Sequence, residues 1–116
     1  MQISRHFSRK EFTCRCGKCG FNTVDAELIS VLEDVRHYFK KPVKINSGAR
    51  CTAHNMDEGG TPTSQHLLGR AADIVVESVL PSRVYEYINS KYPNEYGLGC
   101  YAEFTHIDTR SNKARW

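Results

Sequence analysis

"SQHLLGRAADIVV", residues 64–76, passes from a polar approach into an unbroken apolar run. The run "AADIVV" (71–76) has the length and β-branched content of a buried strand, yet it carries an acid, Asp73, inside it. His66 stands seven positions ahead of Asp73, with Gly69 and two alanines between them. An ordinary turn into a strand accounts for this spacing. So does a metal site that draws one ligand from each side of the turn, provided the remaining chain supplies a third ligand and a general base.

Working outward from this strand, Asp25 is a plausible N-cap for a helix running to about Lys40. Leu28, Val31, Leu32, Val35 and Phe39 form a single buried stripe along it. Pro42 ends that helix and opens a short strand, Val43 to Asn46. Residues 47–65 read as a long polar loop of a length that is usually functional or disordered. A second helix is expected from Pro81 to Lys91, with proline in its first turn and Val84, Tyr87 and Ile88 as its apolar stripe. "LGCY" and "FTHID" read as two closing strands at hairpin-like spacing. The expected fold is α+β, with a mainly antiparallel sheet flanked by helices, in one domain spanning residues 1–116.

Composition excludes several classes. The sequence is 40% hydrophobic and 25% charged, which suits a globular chain and not a disordered one. No apolar run approaches the ~18 residues needed to cross a bilayer, so no membrane insertion is expected. The start has no apolar segment of the secretory kind, so synthesis in the cytoplasm without a signal peptide is expected. A net charge of +3 with no basic block or basic aromatic stripe argues against nucleic acid as a partner. A monomer is expected.

The five cysteines make an incomplete disulfide framework, being odd in number. Cys14, Cys16 and Cys19 form C-x-C-x-x-C, and with Cys51 they are a candidate second metal set, because closely spaced thiolates suit tetrahedral zinc. Reduced, partly buried thiols in a glycine-rich loop are the alternative.

The third ligand is sought among the histidines. His37 falls on the polar side of the first helix, and His6 lies in a charged segment with no evident partner. His54, in the long loop, stays open. His106 stands in the apolar strand "EFTHID", where alternation puts Phe104, His106 and Asp108 on one face. Glu103 precedes it by three, giving E-x-x-H. His66, Asp73 and His106 thus supply an N, O, N set that suits zinc better than calcium or magnesium. Glu103 supplies a carboxylate outside the ligand shell to take a proton from water. It can do so only from a turn or bulge ahead of the strand, since 103 and 106 point to opposite faces of a regular one.

The pattern "SGARC…HN…GG…SQHLLGRAADI" followed by "GLGCYAEFTHIDTR" resembles the M15 family of zinc peptidases, from residue 6 to residue 110. The likeness is to its small single-domain members among bacteria and phages. That resemblance implies a Hedgehog/DD-peptidase-like fold and Zn2+ held by His66, Asp73 and His106. It also implies Glu103 as general base and then acid. Arg50 is implied as a catalytic and substrate-binding residue, with Ser64 and Gln65 lining the cleft. The implied substrates are bacterial peptidoglycan stem peptides, cut at a D-Ala-D-Ala terminus or at L-Ala-D-Glu, as endolysins do. The enzyme would reach the wall after release, in phage or prophage lysis. Many small members lack a glutamate three before the last histidine, so the resemblance supports the ligands more fully than the base.

Arg50, permanently charged and able to bind a carboxylate bidentately, can meet a substrate carboxylate or a tetrahedral oxyanion. As an exposed residue it can instead pair with Asp57 or Glu58 at little energetic value. Asp108 can orient a ligand histidine or simply end the strand. A non-catalytic zinc-binding module of the Hedgehog kind is the alternative to a peptidase, and a thiol-based redox protein is a third reading.

Overall fold

A computed structural model describes residues 2–60 and 64–116. Three helices and five strands follow one another: α1 (Ala26–Phe39), β1 (Val43–Ser47), α2 (Thr52–Asp57), β2 (Ala71–Val76), α3 (Pro81–Lys91), β3 (Gly97–Cys100), β4 (Thr105–Asp108) and β5 (Ala114–Arg115). Short 3-10 turns lie at Arg9–Phe12 and Gln65–Leu68. The strands form one sheet in the order β1-β2-β4-β3-β5. Only the β3–β5 pair is parallel. The fold is therefore the α+β arrangement expected, with a mainly antiparallel sheet.

Helix α1 begins where the Asp25 carboxylate accepts the Leu28 amide, satisfying one orphan donor of the first turn. It ends at Lys40, in the left-handed region at φ 56°. Leu28, Val31, Leu32 and Val35 are buried, while Phe39 is only half-buried and meets Tyr38 and Tyr87 edge-on. Helix α3 takes Pro81 in its first turn and buries Val84 and Ile88. Both helices pack on the sheet and on each other, with Leu32, Ile74, Ile88, Leu98 and Ile107 fully enclosed. Each such side chain contributes about 1.5–3 kcal/mol by leaving water.

Strand alternation now decides where the polar groups go. On β2, Ala72, Ile74 and Val76 enter the core, and so does Ile107 on β4. Asp73, His106 and Asp108, being out of phase with them, emerge on the other face. In β1 the pairing shifts between Ile45 and Ser47, a bulge that sets Ser47 opposite Asp73. Gly69 caps the turn before β2, and a Cβ there would strike the Thr23 carbonyl oxygen.

Two expectations are corrected, and one strand is added to those expected. The span 47–65 is not one polar loop. It finishes β1 and contains α2, because "TAHNMD" can close a helical turn that buries Asn55; residues 61–63 of that span lie outside the described residues. His6 does have a partner, Glu33 of α1, at 2.6 Å. Strand β5 was not anticipated, since two residues give no periodicity to read. Among the described residues no helix is long and apolar enough to cross a membrane.

Candidate metal centre and its cavity

Asp73 and His106 are direct cross-strand partners in the β2–β4 ladder. His66 reaches them from the 3-10 turn ahead of β2. Ligand atoms of the three lie within 4.8 Å of one another, and all three residues are buried. His66 Nε2 stands 3.4 Å from Asp73 Oδ2, and His106 Nδ1 stands 2.9 Å from Asp73 Oδ1. Around a tetrahedral zinc with ligands at 2.0–2.1 Å, neighbouring donors sit about 3.3 Å apart, a value these two separations bracket.

The outward nitrogens are both tied down. His66 Nδ1 lies 2.6 Å from the Gly48 carbonyl oxygen, to which it donates. His106 Nε2 lies 2.7 Å from Asp108 Oδ2, inside the protein. Arg110 holds that carboxylate in turn, through Nε at 2.8 Å and Nη2 at 2.7 Å. Such partners fix the tautomer and orientation of an imidazole, leaving one nitrogen of each facing Asp73. The structure therefore gives Asp108 the orienting arrangement and not a mere strand end.

The electrostatics follow from these contacts. Burial pushes the Asp73 carboxyl up, but hydrogen bonds from His106 and His66 more than reverse this and hold it well below the usual carboxylate range. Asp108 behaves likewise, burial being overcome by His106 and Arg110. For His106, burial disfavours the imidazolium, but Asp108 and Asp73 on its two nitrogens raise its pKa overall. Both carboxylates are thus kept ionised beside the imidazoles. A cation between Nδ1 and Asp73 would replace the proton held there, as metal binding to such sites requires.

A cavity of about 570 Å³ opens onto the three residues. Arg50, Ser64 and Gln65 all line it. The Ser64 hydroxyl accepts the His66 amide, and Gln65 Oε1 is buried without a hydrogen-bond partner among the described residues. Arg50 does not pair with Asp57 or Glu58. Its guanidinium spans Ser47, Asn55 and Asp73, the last at 3.2 Å. Glu103 lies on the exposed turn between β3 and β4, which the Tyr101 amide closes by donating to the Phe104 carbonyl. It is off the regular strand, yet it is not among the residues lining the cavity. Glu58 does line it, 3.5 Å from His54 Nε2. His54 therefore stands with Glu58 and outside the three-ligand group.

Sequence reasoning missed the aromatic side of the cavity. Tyr101 and Phe104 stack at 4.5 Å, and Trp116 sits 5.1 Å from His106 with its indole N–H on the Tyr101 hydroxyl. The one signal was the single tryptophan, which no pattern tied to the site. Cys14, Cys16, Cys19 and Cys51 also converge, with their sulfurs within 4.8 Å of one another. Amide hydrogen bonds, led by that of Lys18, draw the Cys16 thiol down to about 6. Cys19 also receives an amide, from Phe21, but its hydrogen bond with Cys16 lifts it to about 11.

Two imidazoles and a carboxylate thus converge on one cavity, with Arg50 beside them, as a group that could hold a metal ion. The sequence matches the family described as Peptidase M15 over residues 5–108, and the chain belongs to that family. Its activity class is accordingly the hydrolysis of peptide bonds. No curated protein matches the chain.

Proposed function

We propose that this peptidase is zinc-dependent, with the ion held by His66, Asp73 and His106, and that it cuts the stem peptides of bacterial peptidoglycan. The observation that carries the reading is the anchoring of both imidazoles from behind, by Gly48 and Asp108, so that one nitrogen of each faces Asp73. Held by these residues, a zinc ion would supply Lewis acidity toward a peptide carbonyl and lower the pKa of water near neutral pH. The residues do the rest. Glu103 accepts the proton of the attacking water and returns it to the leaving amine. Arg50 binds a substrate carboxylate or the oxyanion from the cavity wall. Ser64 and the unpartnered Gln65 carbonyl offer polar contacts to a peptide backbone. Stem peptides carry free carboxylates, which suits a cavity bordered by Arg50 and Arg110.

For the proton acceptor a second carboxylate competes, because Glu58 lines the cavity and Glu103 does not. Glu103→Gln and Glu58→Gln separate the two: the true base loses cleavage while keeping zinc. The overall reading is tested by metal analysis together with mass spectrometry of peptidoglycan fragments after digestion. Zinc at the histidine site and new peptide termini, both lost in His66→Ala, are expected. Zinc retention without cleavage of any stem peptide would instead favour a non-catalytic zinc module.

A further inference from the structure

The cysteine cluster plays no part in the chemistry above, and it has a geometry of its own. Cys14 and Cys51 place their sulfurs 3.8 Å apart, and Cys16 and Cys19 place theirs 3.4 Å apart. All four sulfurs lie within 4.8 Å of one another. A disulfide requires about 2.05 Å. Four thiolates around a zinc at about 2.3 Å sit roughly 3.8 Å apart, which the Cys14–Cys51 pair matches and the Cys16–Cys19 pair approaches. An iron–sulfur cluster would spread its thiolates further, since they bind different irons. We infer that Cys14, Cys16, Cys19 and Cys51 form a second, structural zinc centre that fastens the N-terminal segment to the loop carrying Arg50.

The backbone is arranged for thiolates. Gly17 and Gly20, each directly after a cysteine, adopt positive φ of 75° and 68°. This turns the following amide back onto the sulfur: Lys18 N–H onto Cys16 and Phe21 N–H onto Cys19, each at 3.4 Å. The Cys51 amide does the same for Cys14, at 3.3 Å. Such hydrogen bonds stabilise negative charge on sulfur. The segment is also held in place: the Cys14 amide donates to Phe21, and the Arg15 guanidinium donates to the Glu11, Thr13 and Ile45 carbonyls. Cys51 follows Arg50 and comes three residues after Gly48, whose carbonyl anchors His66. On binding, the four thiols lose their protons to solvent and no oxidant is needed.

This inference does not depend on the proposed function, and one experiment keeps the two apart. The intact protein is purified from zinc-supplemented medium and weighed by native mass spectrometry, as wild type and as His66→Ala/His106→Ala. Two zinc ions per chain are expected in the wild type and one in the variant. X-ray absorption of the variant should show four sulfur neighbours at about 2.3 Å. Cys16→Ser/Cys19→Ser should drop from two ions to one; if it fails to fold, the histidine variant still decides. One ion in both wild type and histidine variant would support the cysteine centre and reject the histidine one. A metal-free histidine variant would overturn the inference, as would iron in place of zinc or a mass two hydrogens lighter per disulfide.

Discussion

Asp108→Asn probes the support behind the proposed metal centre without changing any of its three candidate ligands. The wild-type carboxylate is fully enclosed and meets His106 Nε2 at 2.7 Å and Arg110 at 2.7 and 2.8 Å. Asparagine fills the same volume and keeps one acceptor oxygen, but it removes the charge that both partners share. His106 then loses the anion that makes its inward nitrogen a strong donor, and Arg110 is left with a neutral partner. Loss of such a supporting carboxylate typically weakens metal binding 10- to 100-fold, or about 1.4–2.7 kcal/mol. The assay is competition for zinc against a chromophoric chelator at neutral pH, with circular dichroism confirming the fold. A folded Asp108→Asn protein with wild-type zinc affinity would refute the claim that Asp108 works through His106.

Other outcomes follow from the same structure. Leu32→Ala, at a fully buried position of α1, should cost about 2–5 kcal/mol in urea unfolding. Trp116→Ala removes one side of the aromatic wall beside His106, and should raise KM for a peptide substrate about 2- to 10-fold while kcat changes less. Hydrogen bonds from Ser4 and His6 outweigh burial and lower the Glu33 carboxyl below its ordinary value. The folded-state pKa is therefore the lower one, and the stability it confers is full above the unfolded value of about 4.3. It is lost as the pH falls through the folded value. The stability difference between wild type and Glu33→Gln should accordingly be steady at neutral pH and vanish in acid, as measured by urea titrations at several pH values.

The fold was legible wherever periodicity ran long enough. Helix α1 declared itself through the Leu28-to-Val35 stripe and its aspartate cap, and α3 through Pro81. The apolar run of β2 gave both of its ends correctly, Ala71 and Val76. The ligand group could be approached because two of its members are isolated polar residues inside strands, where a buried polar side chain needs a partner. What escaped depends on contacts that spacing does not encode. The Glu33 partner of His6 lies 27 positions away, and the Asp73 partner of Arg50 lies 23 positions away. The place of Trp116 follows from β5, which is too short to show a pattern. E-x-x-H placed Glu103 near His106 in sequence, yet it carried no information on which way a four-residue turn directs its third side chain. Glu58 was considered only as a surface partner for Arg50, not as a cavity residue. Its loop offers no pattern, and only the folded chain brings it to the cavity.

Because Asp73 and His106 face each other across the β2–β4 ladder, their site has a birth date in folding. The two residues are 33 positions apart, and neither can meet the other until both strands are paired in register. A slip of one residue would turn one of them into the core. An ion of the kind proposed there could be loaded only after the chain has paired its sheet, at the slower pace of non-local contacts. Cys14, Cys16 and Cys19 lie within six residues of one another, so three of the four proposed thiolate ligands can come together before the sheet forms. If both proposed centres bind metal, sequence separation sets the order of loading, with the cysteine segment first and the cleft last.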